Sequence, residues 1–535
     1  MTEHSLAVRA APEAHALPVQ AIAAALLSAA FVALIIAFPL GIVGDYPNHL
    51  ARNHIEADIA SSPALQSYYE IDWRIIPDLA MDIAIPPLSQ AIGIYAAGAA
   101  MIALAALLGP IAALLLSRRL HGDANVLALF AFAAIFGLNL EFGLINFMIA
   151  TGLAIAAFAL WTAMPPSLRR TLIFAPIGLL LVISHGLGFL LFGYIALLWE
   201  IAAFARAERG RAPEFIRKLT IMDGLAMAPG LVYFALALAG SDGALRPVDA
   251  PTDFWGSRLV VLLAPFRFFR DSMSVSTATV SALALYGALA LGLLRGALKI
   301  DPRMAVVCVG LLILMLIIPE HAFGIWGLHF RYGPALIILV AASLRFGPDA
   351  RRARGIAFGL LAGILAVQGA NGVANLRRTD AYLSELRAGL VSLPEGARLL
   401  QAYEPGVEQR LANHAGALAV IEANAYVPTL FTNTSPVAVR PEMRDMHLPA
   451  GLPLNAEDLR AAAKASLPPA TDRHWSTAYY FDWPRRFTHV LYVRRAGAPA
   501  PQIENACPVA ESPHFVLYRT VGGDGRSCPE NRDFQ

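Results

Sequence analysis

The chain has 535 residues, of which 57% are hydrophobic and only 15% charged, and its mean hydropathy of +0.56 lies well above that of a soluble domain. Lys and Arg number 41 against 39 Asp and Glu, a formal net charge of +2, so the chain carries no electrostatic footprint for nucleic acid. Three cysteines are too few for a disulfide-built scaffold, which leaves an α-helical polytopic membrane protein.

The first apolar run, residues 17–43, is too long for the core of a secretory signal and lacks a small-residue cleavage site. It predicts a retained membrane helix behind a cytoplasmic tail of residues 1–16. Further apolar runs follow at 88–116, 124–140, 143–163, 171–185, 187–205, 219–240, 275–297, 304–319, 333–346 and 354–372. That makes about eleven transmembrane helices within a membrane domain of residues 17–374. Several runs fall short of the roughly 20 residues a perpendicular span needs, so the pairs around Ser184-His185-Gly186 and Leu328 to Tyr332 are expected to be hairpins that do not fully cross.

Basic residues alternate between the connections. Arg118, Arg119, Arg169, Arg170, Arg206, Arg209, Arg211, Arg217, Lys218, Arg295, Lys299, Arg303, Arg345, Arg351, Arg352 and Arg354 mark one set as cytoplasmic. The acidic first loop, residues 44–87, then faces outward. With a cytoplasmic N-terminus and an odd helix count the C-terminal part also lies outside, which in a bacterial inner membrane is the periplasm. Asn48 to Ala60 and Pro63 to Tyr69 read as helices in that first loop, with Tyr68, Tyr69 and Trp73 as interface anchors.

From about Asn375 the apolar spans stop. Strand-like runs at Ala397 to Tyr403, Leu418 to Ile421, Pro436 to Val439, Thr488 to Val493 and Phe515 to Tyr518 interleave with amphipathic stretches at Asp380 to Leu390 and Ala456 to Ala465. They predict an α/β domain over residues 375–535. Cys507 and Cys528 lie in this part, either bonded in an oxidising compartment or as two thiols.

Asp45 stands directly behind the first apolar run, in Gly44-Asp45-Tyr46-Pro47-Asn48-His49-Leu50-Ala51-Arg52. An ionised carboxylate at a membrane edge is costly unless it has a task. A helix starting near Pro47 stacks Asp45 and His49 on one side with Arg52 near the same face, which gives one pocket a base, a second titratable group and a cation. Asp before Pro at a helix start is equally a capping arrangement, with His49 an interfacial side chain. The two readings are compatible.

Glu141, in Gly137-Leu138-Asn139-Leu140-Glu141-Phe142-Gly143, occupies a tight turn on the same face, and Asn146 follows one turn into the next helix. A carboxylate there completes a metal site with Asp45, since hard cations need several oxygens, or binds a sugar hydroxyl, or is an ordinary solvated turn residue. His185 lies between two very apolar runs, while Glu320, His321, His329 and Arg331 bracket Ala322 to Leu328 on the same side. Cations and imidazoles near an outer membrane face suit a lipid-linked phosphate, whose charge sits at the headgroup level while its tail lies between helices. Arg331 is the strongest of these. Its plain alternative is a snorkelling charge at a helix end, and a lone histidine is more often structural.

Other chemistry leaves no signature: the sequence has no G-x-x-x-x-G-K-[ST] loop, no H-E-x-x-H, no C-x-x-C and no G-x-S-x-G elbow. In layout, with Asp45 after the first helix, a long first outer loop, Glu141 in the second outer loop and a terminal outer domain, the chain resembles the GT-C superfamily of polytopic glycosyltransferases. Tyr69 to Asp82, with Trp73 and Ile76-Pro77-Asp78-Leu79, and Gly143-Leu144-Ile145-Asn146-Phe147 look like segments of uncharacterised bacterial members.

The resemblance implies transfer of a sugar from a polyprenyl-phosphate donor to an acceptor hydroxyl at the periplasmic face, with inversion. Asp45 would be the general base, Glu141 would assist at the acceptor or a metal, and Arg331 with His329 or His185 would hold the donor phosphate. Asp45 and Glu141 are therefore the expected catalytic residues, with His49, Arg52, Asn146, His185, Glu320, His321, His329 and Arg331 as substrate contacts. Tyr46 stands where some relatives carry a second acid, so a divalent metal is an optional cofactor and no ligand set is assigned. The expected partners are a polyprenyl-phosphate-linked sugar, membrane lipid, and a glycan, lipid or protein acceptor. A secondary transporter or flippase for a lipid or anionic solute is the competing reading, disfavoured because the notable acids and histidines crowd one face and not mid-membrane; a non-catalytic envelope scaffold is the third.

Overall fold

The computed structural model describes residues 19–123, 125–205, 212–240, 258, 261–266, 272–322, 325–348, 350–407, 413–449, 451, 454–464 and 478–521. The expected tail of residues 1–16, Arg206, Arg209, Arg211 and Cys528 lie outside the described residues. Six described helices are long and apolar enough to cross a membrane: Val19–Ala37, Ile94–His121, Gly186–Phe204, Leu219–Ala239, Ser276–Leu294 and Arg351–Leu390. Shorter apolar helices such as Ile145–Trp161 and Pro302–Ile317 stand with them. Leu231, Val280, Leu283 and Ile313 project into the surroundings from these helices, as lipid-facing positions do in a bundle whose backbone is already satisfied internally.

One expected span is different in kind. The run at 124–140 forms a 3-10 helix, Val126–Ala134, followed by the single turn Leu138–Glu141, and every residue from Leu127 to Ala134 is buried. At about 2 Å per residue nine residues rise roughly 18 Å, short of a hydrocarbon layer about 30 Å thick. Such backbone persists at membrane depth only when other helices cover it. At His185 the helices Leu168–Ser184 and Gly186–Phe204 meet at one extended residue, whose Nδ1 accepts the Leu187 N–H at 3.1 Å; the second arm is long and apolar enough to cross, unlike the short hairpin expected there.

The first loop folds into the helices Tyr46–Asp58 and Pro63–Tyr68 and the strand Tyr69–Ile71. Pro47 sits in the first turn of the former, where its missing N–H has no partner to lose, and Ser62 caps the latter by accepting from Leu65 N–H. The loop does not lie free at the interface. Its strand pairs antiparallel with Val437–Val439, Tyr68 donates to the Gly396 carbonyl, and Tyr69 is fully buried with its ring stacked on Tyr426 at 6.0 Å. Trp73, the third expected anchor, is exposed. Ala51, Ile55 and Leu65 share one apolar core with Leu399, Val490 and Val516 of the C-terminal domain.

That domain carries a five-stranded sheet in the order 506–511, 515–520, 489–493, 399–403, 454–455, antiparallel over the first three strands and parallel over the rest. The expected strand at Leu418 to Ile421 is instead the helix Leu418–Ala423, ended by Asn424 at φ 47. A four-residue apolar run has no period to separate strand from helix, and here it packs on the loop helix Tyr46–Asp58. The last long helix, Arg351–Leu390, runs unbroken through position 375, where the composition changes, for about 60 Å. On this helix Asp380 accepts the Leu40 N–H at 2.8 Å, and Arg387 pairs with Glu422 at 2.6 Å.

Candidate functional site

Two loops meet where the first helix ends. Asp45 N–H donates to the Phe142 carbonyl at 2.9 Å, and glycines permit the approach from both sides. A Cβ on Gly44 (φ 65) would lie 2.5 Å from Phe142 O, and one on Gly143 (φ 68) 2.6 Å from Tyr46 N, contacts that only a residue without a side chain allows. Asp45 occupies the N-cap position of Tyr46–Asp58, yet its carboxylate makes no capping hydrogen bond. A third of its side chain (33%) opens to solvent; the protein around it still pushes the carboxyl up to about 6, against the pull of Arg331 and Arg52. His414 of the C-terminal domain faces it, with Nε2 4.0 Å from Asp45 Oδ1.

A second carboxyl faces the same cation. Asp78 is held at φ 89, a strained conformation for a residue with a side chain. Its backbone is clamped from three sides: N–H to Ile183 O at 3.2 Å, and O accepting from Arg52 Nη2 at 3.3 Å and Asn146 Nδ2 at 2.9 Å. Burial pushes Asp78 up to about 7, with Arg52 and Arg331 opposing. Its Oδ1 stands 4.0 Å from His185 Nε2. Arg331 lies over the Phe147 ring at 5.8 Å, the ring that His185 meets edge-on at 5.4 Å. Nε and Nη2 of Arg331 donate to the Trp326 carbonyl, and among the described residues Nη1 makes no hydrogen bond.

The remaining expected residues divide. Arg52 is wholly buried behind the site, joined to Asp82 at 2.6 Å and to the carbonyls of Asp78 and Thr434; with Asn146, which also accepts the Met81 N–H, it braces the Asp78 turn. His49 packs edge-on to Phe431 at 5.6 Å, and burial drives its imidazole well below the usual range, so it is neutral. Glu141 is not a solvated turn residue: it is buried at the end of its short helix, next to the Phe142 carbonyl that holds Asp45. Glu320, His321 and His329 form a separate group around the turn before Arg331, where Glu320 accepts from Trp326 Nε1 at 2.9 Å, His321 pairs across to Trp326 and His329 is buried against Phe330.

Asp78 and Asp82 stood out in the sequence only as part of the segment Tyr69 to Asp82, with no site role, and His414 did not stand out at all. Asp78 followed a proline in a loop with many acids, and nothing local marks His414, which lies 366 positions from the Asn48 side chain it meets. Among the described residues no group of three or more His, Cys, Asp or Glu is arranged to hold a metal ion. These side chains do not by themselves make a metal site.

The fold is similar to that of ArnT from Cupriavidus metallidurans. The crystal structure of that protein bound to undecaprenyl phosphate matches with a TM-score of 0.53 at 11% sequence identity, over 94% of this chain and 98% of that chain. Its apo-state structure matches with a TM-score of 0.50 at 12% identity, over 93% and 98%. No protein-family model and no curated protein sequence matches the chain. The likeness is one of fold across nearly the whole of both chains, a helical architecture with several apolar helices and a C-terminal sheet-containing domain, as the sequence led us to expect.

Proposed function

We propose that this chain is a membrane glycosyltransferase of GT-C type that moves a sugar from a polyprenyl-phosphate donor to an acceptor hydroxyl, with inversion, at the periplasmic face of a bacterial inner membrane. The observation that carries this reading is the Asp45 carboxyl: it stands at a helix N-cap without capping, is raised towards neutrality by burial, and feels the charge of Arg331. A shared fold with a protein crystallised with undecaprenyl phosphate supports a lipid-linked donor.

In this mechanism the acceptor oxygen attacks the anomeric carbon while its proton passes to Asp45. The bond from that carbon to the phosphate oxygen breaks, and its electron pair leaves on the phosphate. Arg331, with the two N–H groups of Nη1 open to a ligand, offsets the charge that grows there. Asp78 and His185 line the same cation, and Glu141 supports the loop that positions Asp45.

The test uses purified protein in proteoliposomes with labelled undecaprenyl-phosphate-linked hexoses, pentoses and aminosugars, and scores label in the glycan, lipid and protein fractions. Transfer from at least one donor is expected. Flux of the labelled lipid across the bilayer with no covalent product would instead make the chain a transporter.

A further inference from the structure

His414 is a side chain of the C-terminal domain that stands 4.0 Å from the Asp45 carboxylate, and groups that do not titrate near neutrality fix where its proton sits. Asn48 accepts the Phe431 N–H on Oδ1 at 2.7 Å and donates from Nδ2 to the Thr429 carbonyl at 3.1 Å. A main-chain N–H only donates and a carbonyl only accepts, so the amide orientation is determined twice over. The same Nδ2 lies 3.2 Å from His414 Nδ1. A donor at that atom requires a lone pair on it, so the neutral ring carries its proton on Nε2. Burial holds the imidazole down at about 4, so it is neutral across the physiological range. The ring is further fixed by Phe431, edge-on at 4.8 Å, and the backbone of His414 is held at φ 56, the kind of local strain that collects at binding sites.

The Nε2–H therefore faces Asp45 Oδ1 across 4.0 Å. That separation is too long for a hydrogen bond between the two, but it suits a third atom: an oxygen about 2.8 Å from each fits with an angle near 90° between them. Such an oxygen must accept from the imidazole and donate to the carboxylate. A neutral hydroxyl does both and keeps one lone pair for attack. An ionised phosphate or carboxylate oxygen has no proton to give.

We propose that Asp45 and His414 form a cradle for the acceptor hydroxyl, in which the His414 Nε2–H holds the oxygen and turns its proton towards Asp45. This rests on the reading of Asp45 as the base and narrows the acceptor at that position to a neutral hydroxyl. It also makes the C-terminal domain part of the reacting site.

Water, the smallest hydroxyl, is a suitable probe acceptor, with release of free sugar from an undecaprenyl-phosphate-linked donor as the readout. His414→Phe keeps a ring of similar shape and removes the N–H; His414→Gln places an amide N–H at comparable reach. We expect His414→Phe to lower kcat about tenfold to a hundredfold with the donor KM unchanged, the size of one hydrogen bond tightened in the transition state, and His414→Gln to recover most of it. In 15N-histidine-labelled protein, the His414 signals should show an unprotonated Nδ1 and a protonated Nε2 from pH 6 to 8. Wild-type kcat in His414→Phe, or a protonated Nδ1, overturns the cradle while leaving Asp45 as base intact. A wild-type protein that releases and transfers no sugar from any donor overturns the glycosyltransferase reading, and the cradle with it.

Discussion

At one end of the helix Leu168–Ser184, Arg170 is enclosed by partners: Glu200 at 2.8 Å, Asp223, the Met164 carbonyl, and the Trp161 ring under its guanidinium at 4.0 Å. Trp161 completes the set by donating to Glu200 at 2.9 Å. At the other end, roughly 20 Å along the helix, His185 stands off Asp78 at 4.0 Å, and near it His414 stands off Asp45 by the same distance. Both ends combine arginine, carboxylates and aromatic rings under low exposure. In the first set each charged side chain is in direct contact with an opposite charge, although Arg170 Nε and Asp223 Oδ2 are left without a hydrogen bond. In the second the charged and imidazole groups stand off one another at 4.0 Å and Arg331 Nη1 makes no hydrogen bond among the described residues, and a group that is not already partnered is what a ligand can use.

If that contrast is right, the largest effect belongs to the open end. Asp45→Asn keeps the side-chain size and loses the base; sugar transfer should fall about 10²- to 10⁴-fold while the melting temperature holds or rises, since a partly buried carboxyl with no capping bond is removed. Wild-type transfer by a folded Asp45→Asn protein would break the comparison outright. At the closed end the sign reverses. Arg170→Met strands two carboxylates and should cost about 3–5 kcal/mol of stability, seen as a lowered melting temperature, with donor KM unchanged in the protein that remains folded. Replacing all three charges together, with Met at 170 and Leu at 200 and 223, should recover much of that loss, because a buried ion set is often matched by apolar residues of similar volume.

The pH profile sharpens the same point with a smaller effect. Asp45 acts as base only when ionised, and its carboxyl is raised to about 6; transfer should be flat above that pH and fall towards tenfold per unit below it, measured as initial rates in proteoliposomes. The smallest effect is expected for Glu320→Gln. Glu320 belongs to the turn with Trp326 and His329, apart from Asp45, and the substitution should change kcat by no more than about threefold, since it removes a charge from a side chain that touches neither reacting atom.

Much of this layout was legible in the chain. Length and apolarity fixed the membrane class, the alternating runs located most helices, and the cost of a charge at a membrane edge singled out Asp45. Arg331 was expected as a cation for a lipid-linked phosphate at the outer face, and its charge opposes the upward push on the Asp45 carboxyl. What escaped detection has physical causes. The 3-10 segment Val126–Ala134 is as apolar as a true span, and hydropathy does not report the pitch of a helix. Leu418 to Ile421 was too short to show a period. Asp78 owes its place to a positive φ held by Arg52, Asn146 and Ile183, three contacts from distant segments. His414 reaches Asp45 only because the first loop and the C-terminal domain share a core, and pairing across more than 360 positions leaves no trace in local pattern.

The unbroken helix Arg351–Leu390 touches both halves of this arrangement. Asp380 fastens the chain just before Asp45 through Leu40, and Arg387 fastens the segment just after His414 through Glu422. The two anchors are seven residues apart, two turns up one face and about 10 Å of helical rise. One continuous helix thus holds both the segment that leads into Asp45 and the segment that follows His414, so the two sides of the site share a single backbone as their common support.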